Sequence, residues 1–354
     1  VGGVSQLIIG AAQFFACAFL ATSPPSRRTV RAELLLWNTA TIAVAIGVPL
    51  RLIPLTGIGG TLLLAGLAVF AASLVGMRKR SLQTRPWATR WYLTAAAFLA
   101  VGATLGPLMA AESTWTHGSL LGAHLVLNLG GWFGTTVIGT LHTFYPSLTG
   151  TLLKHPRLQA PTFIAWTAGV VVLAVSAAFD LQAGGVTGWA LLLAASILLA
   201  VNLVGSARTA TQRSPALLVV SAGQLLLVGA LVVGLASALR DGPLAALVGA
   251  QRATPTLLYI AGWIGLTVAG SLLHLLPLMG RVRALAGPAA EPSRMVVAVG
   301  AVSAVVVGLL LTATAGSGFA VGAGRALIVL GYLALAVRIL PLAARAVRAG
   351  PLHI

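Results

Sequence analysis

Apolar runs of about 20 residues follow one another along the chain, each closed by a short polar or Pro/Gly-rich break. They fall at residues 4–22, 32–50, 57–77, 91–111, 119–148, 162–180, 186–206, 215–239, 254–279, 295–314 and 320–343. None shows the period-two alternation of a barrel strand. In hydrocarbon every backbone N–H and C=O must be paired within the protein, so uninterrupted runs of this length predict helices. The expected fold is all-α: a polytopic transmembrane helix bundle of about eleven spans, forming a single transmembrane domain over residues 1–354.

Composition agrees. Apolar residues make up 58% of the chain, charged residues 8%, and the mean hydropathy is +0.99, a balance that water could not solvate. The net charge of +17 would suggest a nucleic-acid partner in a soluble protein. Here the basic residues sit in short clusters between apolar runs, so nucleic acid is excluded and the partner is the lipid bilayer. Alternate connections are strongly unequal. One set carries Arg27, Arg28, Arg31, Arg78, Lys79, Arg80, Arg85, Arg90, Lys154, Arg157, Arg208, Arg213, Arg281, Arg283, Arg294, Arg338, Arg345 and Arg348. The other carries only Arg51, Arg240, Arg252 and Arg325. By the positive-inside rule the first set faces the cytoplasm. The expectation is a multi-pass protein of the plasma (bacterial inner) membrane, its N-terminus outside and its C-terminus cytoplasmic.

The chain opens already apolar at VGGVSQLIIG with no charged leader and cleavage site, so no signal peptide is expected. The odd span count fits a twelve-helix protein whose first helix lies upstream. Cys17 stands alone, which excludes an internal disulfide framework.

The chain repeats itself. GWFGTTVIGTLHTFYP at 131–146 matches GWIGLTVAGSLLHLLP at 262–277 at eight of sixteen positions, at a constant offset of 131. Gly131, Trp132, Gly134, Thr136, Val137, Gly139, Leu141 and Pro146 are the shared residues. The offset equals four spans, so the predicted units are parallel four-helix repeats at about 32–150 and 162–280, with partial units at 1–22 and 295–348. The glycines permit close helix packing. The functional alternative is that Gly131, Gly134 and Gly139 leave room for a flat cofactor.

Histidine supplies the candidate chemistry. His155 in a basic connection and His353 near the end read as solvated, whereas His124 lies within an apolar run, where an imidazole needs a hydrogen bond or a metal. On a regular helix His117, His124, Asn128 and Gly131 share one face, and His142, eighteen residues past His124, returns to that face about 27 Å away. His274 lies one residue out of register with His142 in the second repeat. Imidazoles on different helices suit haem, and a neutral imidazole also suits copper; the alternative for each is a hydrogen bond to a neighbouring helix or headgroup. The carboxylates Glu33, Glu112, Asp180, Asp241 and Glu291 fall at predicted span ends or connections, which disfavours a proton-coupled pump. Asn38, Asn128, Asn202 and Gln224 read as interhelical hydrogen-bonding groups, and Trp115, Tyr145 and Trp189 as anchors at the headgroups.

The string AHLVLNLGGWFGTTVIGTLHTFYP, from Ala123 to Pro146, resembles the histidine-bearing helix of the haem–copper oxidase subunit I superfamily. It is also similar to NnrS-like membrane proteins and to actinobacterial membrane proteins of the same pattern. In that superfamily a histidine near the outer face precedes a Gly/aromatic/Gly step, and twelve helices form three four-helix arcs; His124 takes the ligand position. The sequence departs from the family in having no His-Pro-Glu motif, paired histidines or His-x-His pair, and Pro255 stands at the position equivalent to His124. The resemblance therefore implies a relative that lacks a complete centre for oxygen or nitric-oxide reduction and is not expected to be an enzyme. Such a relative would hold haem b or copper through His124, with His117, His142 and His274 as further candidate cofactor ligands and His117 as the second metal candidate. Such a protein would serve electron transfer or nitrogen-oxide or metal-stress handling, with a redox partner or partner subunit. A small-molecule permease or channel and a structural or assembly subunit are the alternatives.

Overall fold

The protein is described from a computed structural model covering residues 2–83, 87–111, 115, 117–281, 292–314 and 318–348, with backbone only at 278–281, 292–294 and 348. Arg85, Glu112, Arg283, Glu291 and His353 lie outside the described residues.

Among the described residues eleven helices are long and apolar enough to cross a bilayer, and there is no strand. They are α1 (Gly2–Leu20), α2 (Arg27–Gly47), α3 (Ile53–Arg80), α4 (Trp87–Ala110) and α5 (Leu120–Thr149). After these come α6 (Gln159–Phe179), α7 (Gln182–Arg208), α8 (Pro215–Asp241), α9 (Ala250–Pro277), α10 (Pro292–Thr314) and α11 (Gly318–Arg348). The last α-helical segment of α9 continues to Arg281. The chain is thus an all-α polytopic helix bundle, an integral membrane protein whose surface is apolar: Leu35, Leu225 and Val296 are each about 70% exposed, which only lipid accommodates.

Every span sits where the hydropathy pattern put it, but several reach further. α2 starts at Arg27, and α3 runs to Arg80 through three basic residues. Arginine and lysine are good helix formers whose charged heads reach water beyond the hydrocarbon, so the helix continues where hydropathy has already fallen. Boundaries are set by local chemistry. The Ser26 hydroxyl accepts from Thr29 N–H at 3.1 Å, that of Ser119 from Gly122 N–H at 3.0 Å and that of Ser214 from Leu217 N–H at 3.2 Å. Asp180 ends α6 in the left-handed region at φ 52°.

The described chain forms two compact units. The first comprises residues 1–144, 157–199 and 237–249; the second comprises 145–156, 200–236 and 250–354. In the first, Trp132 of α5 is the centre of an aromatic core, with its ring 6.4 Å from Trp37 and edge-on to Phe70 at 6.1 Å. In the second, Val219, Leu266, Val305, Leu309 and Leu335 form a continuous apolar core.

The repeated helices share an irregularity. α5 opens as α-helix over Leu120–Leu125, widens to π-helix over Val126–Gly134 and returns to α-helix at Thr135. α9 does the same, with π-helix over Leu258–Ile264. At the offset of 131 the second π stretch falls within the first, so the repeat seen in sequence is a repeat of backbone geometry. A π turn weakens the hydrogen-bond ladder and persists where side chains supply replacement partners. Each is met at the same place: the carbonyl of Gly130 accepts from Trp166 Nε1–H at 3.1 Å and from the Thr135 hydroxyl, and the carbonyl of Ala261, its repeat equivalent, accepts from the Tyr332 hydroxyl.

Removing either aromatic donor tests this account. Tyr332→Phe removes the hydroxyl that meets the Ala261 carbonyl and is expected to cost about 1–3 kcal/mol, whereas Trp166→Phe leaves the Gly130 carbonyl to the Thr135 hydroxyl and is expected to cost about 1 kcal/mol, each with faster amide exchange within its π stretch. Unchanged unfolding midpoints in detergent together with unchanged exchange would refute it.

Candidate functional site

α5 is the most enclosed span, with 72% of its most apolar stretch buried against 44% or less in every other. Its glycines explain how. A methyl group on Gly131 would lie 2.6 Å from Cβ of Phe98, and one on Gly139 would collide with the Trp91 ring, both on α4. The space beside these two glycines is therefore filled by aromatic side chains, which is the packing reading; it is not open to a flat cofactor. In the second unit Gly262 meets Leu226, and Gly270 meets Val220 and the Ala216 carbonyl on α8. Each repeated helix thus lies on the span before it by the same device.

His124 sits half-buried in the first α-helical segment of α5, across from Gly102 and Gly106 of α4. Its Nδ1 is 2.8 Å from the Gly102 carbonyl oxygen. A carbonyl only accepts, so Nδ1 carries the proton, and in the neutral ring Nε2 then presents its lone pair. Asn128 donates to the His124 carbonyl at 2.6 Å, bracing the turn that carries the ring.

His142 repeats this chemistry in the second α-helical segment. Its Nδ1 is 2.9 Å from the Ile138 carbonyl, its ring stacks on Trp91 at 5.7 Å, and it is 3% exposed. Nε2 is buried with no hydrogen-bond partner among the described residues. Trp91 Nε1 beside it is orphaned too. Both histidines therefore have an Nδ1–H···O=C bond that fixes the ring and leaves the lone pair on Nε2.

The shared helical face predicted for the histidines does not hold. His117 precedes α5, in a bend before the Ser119 cap, with its ring against Trp115 and Phe179. This connection is fixed to the end of α6: Ser119 N–H donates to the Ala177 carbonyl at 2.8 Å and Trp115 Nε1–H to that of Ala178 at 2.5 Å. These are carbonyls the helix terminus would otherwise leave open. His142 is separated from His124 by the π stretch, so counting 100° per residue no longer relates them. His274, in the second unit, is 3.3 Å through Nε2 from the Ser147 hydroxyl. Among the described residues no three His, Cys, Asp or Glu side chains gather as a metal-binding group.

A polar cluster escaped the sequence reading. Glu33 lies well inside α2, buried, and both its oxygens accept from Gln13 Nε2 of α1 at 2.8 Å, with Ser73 of α3 3.4 Å from that nitrogen. The expectation that every carboxylate falls at a span end therefore fails at Glu33, because α2 begins five residues before the apolar run. The signal available was Gln13, a polar amide in mid-run. Tyr145 and Trp189 are likewise buried, not at headgroups; the Tyr145 hydroxyl pairs with Ser221 at 2.9 Å. Of the in-span amides, Gln224 bridges helices as expected, donating to Thr267 at 2.9 Å and accepting from Trp263 at 2.8 Å, whereas Asn202 holds the backbone of His155 in a connection through bonds of 2.9 and 3.0 Å and Asn128 donates within its own helix.

No protein-family model matches the chain, and no curated protein matches it.

Proposed function

We propose that this protein, a relative in fold of haem–copper oxidase subunit I and NnrS-like proteins, binds haem b or copper through Nε2 of His124. It would act in electron transfer or in nitrogen-oxide or metal-stress handling in the plasma membrane, with its basic connections cytoplasmic. The observation that carries this reading is the Gly102 carbonyl holding His124 by Nδ1. A ligating imidazole needs that second hydrogen bond to fix its tautomer and aim, and the Gly102 carbonyl supplies it while Nε2 keeps its lone pair. His142 offers the same donor set in a tighter place, since Trp91 covers it. The two stand roughly 25 Å apart along α5, so they would serve separate centres and not the two faces of one haem. His117 and His274 are the subsidiary candidates. Bound haem b would supply a one-electron carrier; the chain's part is to orient Nε2 and to keep water away.

The test is the reduced-minus-oxidised spectrum and metal content of protein purified from haem-supplied cells. A Soret band or stoichiometric copper is expected, with His124→Ala losing the signal from that site and His155→Ala keeping it. Absence of both signals from the unaltered protein overturns the reading.

The permease reading gains one observation, the Gln13–Glu33–Ser73 cluster, because a buried carboxylate in a span is a typical element of an ion path. Substrate-dependent flux into liposomes by a protein with neither chromophore nor copper would favour it instead.

A further inference from the structure

In the second unit a cleft of about 650 Å³ opens where the chain enters α8, between the last turns of α9, the first of α10 and the last of α11. Its rim is basic. Arg213 comes from the connection before α8, Arg338 and Arg345 come from α11, and Gln212, Ser214 and His274 add polar groups. Seven residues separate Arg338 from Arg345, two helical turns, so both guanidinium groups rise from one face. Among the described residues no carboxylate lines the cleft. The rest of the lining is largely apolar, from side chains such as Leu273, Pro277, Leu335 and Leu342.

Guanidinium groups recognise the paired oxygens of phosphate, and clustered basic residues at span ends select anionic headgroups. The cleft is far roomier than inorganic phosphate needs and falls in the size range of pockets for much larger organic ligands. Val337, part of the lining, continues outward along α11 through Leu333 and Leu330, which are 69%, 55% and 58% exposed. A ligand whose charged end enters the cleft would therefore find an apolar track leading away from it. Charge at one end and hydrocarbon at the other describe a phospholipid.

We infer that this cleft binds the phosphate headgroup of an anionic phospholipid, its acyl chains lying along the Leu330–Leu333–Val337 face of α11. Arg338 and Arg345 clasp the phosphate, Arg213 closes over it from the connection, and His274 and Ser214 line the site as polar neighbours. The inference is independent of any ligand at His124.

The experiment titrates short-chain phosphatidylglycerol into the delipidated full chain and counts bound lipid by native mass spectrometry. Phosphatidylcholine of the same chain length and sodium phosphate form separate arms. Saturable binding of phosphatidylglycerol is expected, roughly tenfold or more tighter than phosphatidylcholine, and weakened roughly tenfold or more in R338Q/R345Q. The pair R27Q/R28Q, two exposed basic residues of α2 in the other unit, should leave it unchanged. Arg213→Gln, in an exposed connection, provides a variant whose folding is not at issue and should weaken binding several-fold. Equal binding of both lipids, or unchanged affinity in R213Q and R338Q/R345Q, overturns the inference. So does inorganic phosphate that saturates the site at the same concentration as the lipid, which would make the ligand a free anion.

Discussion

Replacing Gly139 by alanine is expected to destabilise the protein by about 3 kcal/mol, and by leucine to prevent accumulation of folded protein, the largest effect anticipated from any single substitution here. The reason is geometric. Even one added carbon meets Cβ and Cγ of Trp91, a ring that is fully buried and wedged between His142 and Phe163, with centroids 5.7 and 4.9 Å away. Trp91 cannot retreat without opening a void on its far side, so the strain spreads into α4 and α5 together. Gly10 on α1 is the internal control. A methyl group there has nothing within 4 Å, and Gly10→Ala should be neutral or slightly stabilising because alanine is the better helix former. Thermal unfolding in detergent separates the two, and equal midpoints for Gly139→Ala and Gly10→Ala would show that the α4–α5 crossing is more yielding than its contacts indicate.

The second large effect is expected at Gln13. Gln13→Leu removes the amide that meets both oxygens of Glu33 and leaves a carboxyl group buried without its donor, at a cost of about 2–4 kcal/mol. Glu33→Leu strands the amide in turn and should cost somewhat less, since an amide is cheaper to bury than a carboxylate. The double variant Gln13→Leu/Glu33→Leu has no group left to satisfy and should recover most of the loss. The cycle therefore predicts a strong coupling energy between the two positions, and additive single losses would show that the pair contributes nothing as a pair.

What could be read in advance divides along a physical line. Hydrocarbon demands about 20 apolar residues per crossing whatever the neighbours do, so all eleven helices were legible from local composition. The repeat was legible too, because Gly131 and Gly139 must stay small wherever α5 crosses α4, and Gly262 and Gly270 face the same demand in α9. The π stretches were not. They depend on Trp166 and Tyr332, donors that lie 36 and 71 residues from the carbonyls they reach and occupy unrelated positions in the two halves. His117 was misplaced for a more local reason, since an apolar periodicity carries no mark of where a helix begins; Ser119, two residues on, was that mark. At the candidate site the sequence indicated which imidazole lies in the membrane. It had no means of indicating that Gly102, on another helix, holds His124 by one nitrogen.

The widened turn in α5 also stores slack. It takes up extra backbone between the two histidines, since a π turn holds more residues than an α turn. Shortening Val126–Gly134 by one residue would let the backbone tighten to ordinary α-helix; the lost residue and the tighter turns offset one another, and His142 would stay beneath Trp91. The same deletion just after Thr135, where the helix has no slack to give, would turn His142 by about 100° while His124 stayed where it is.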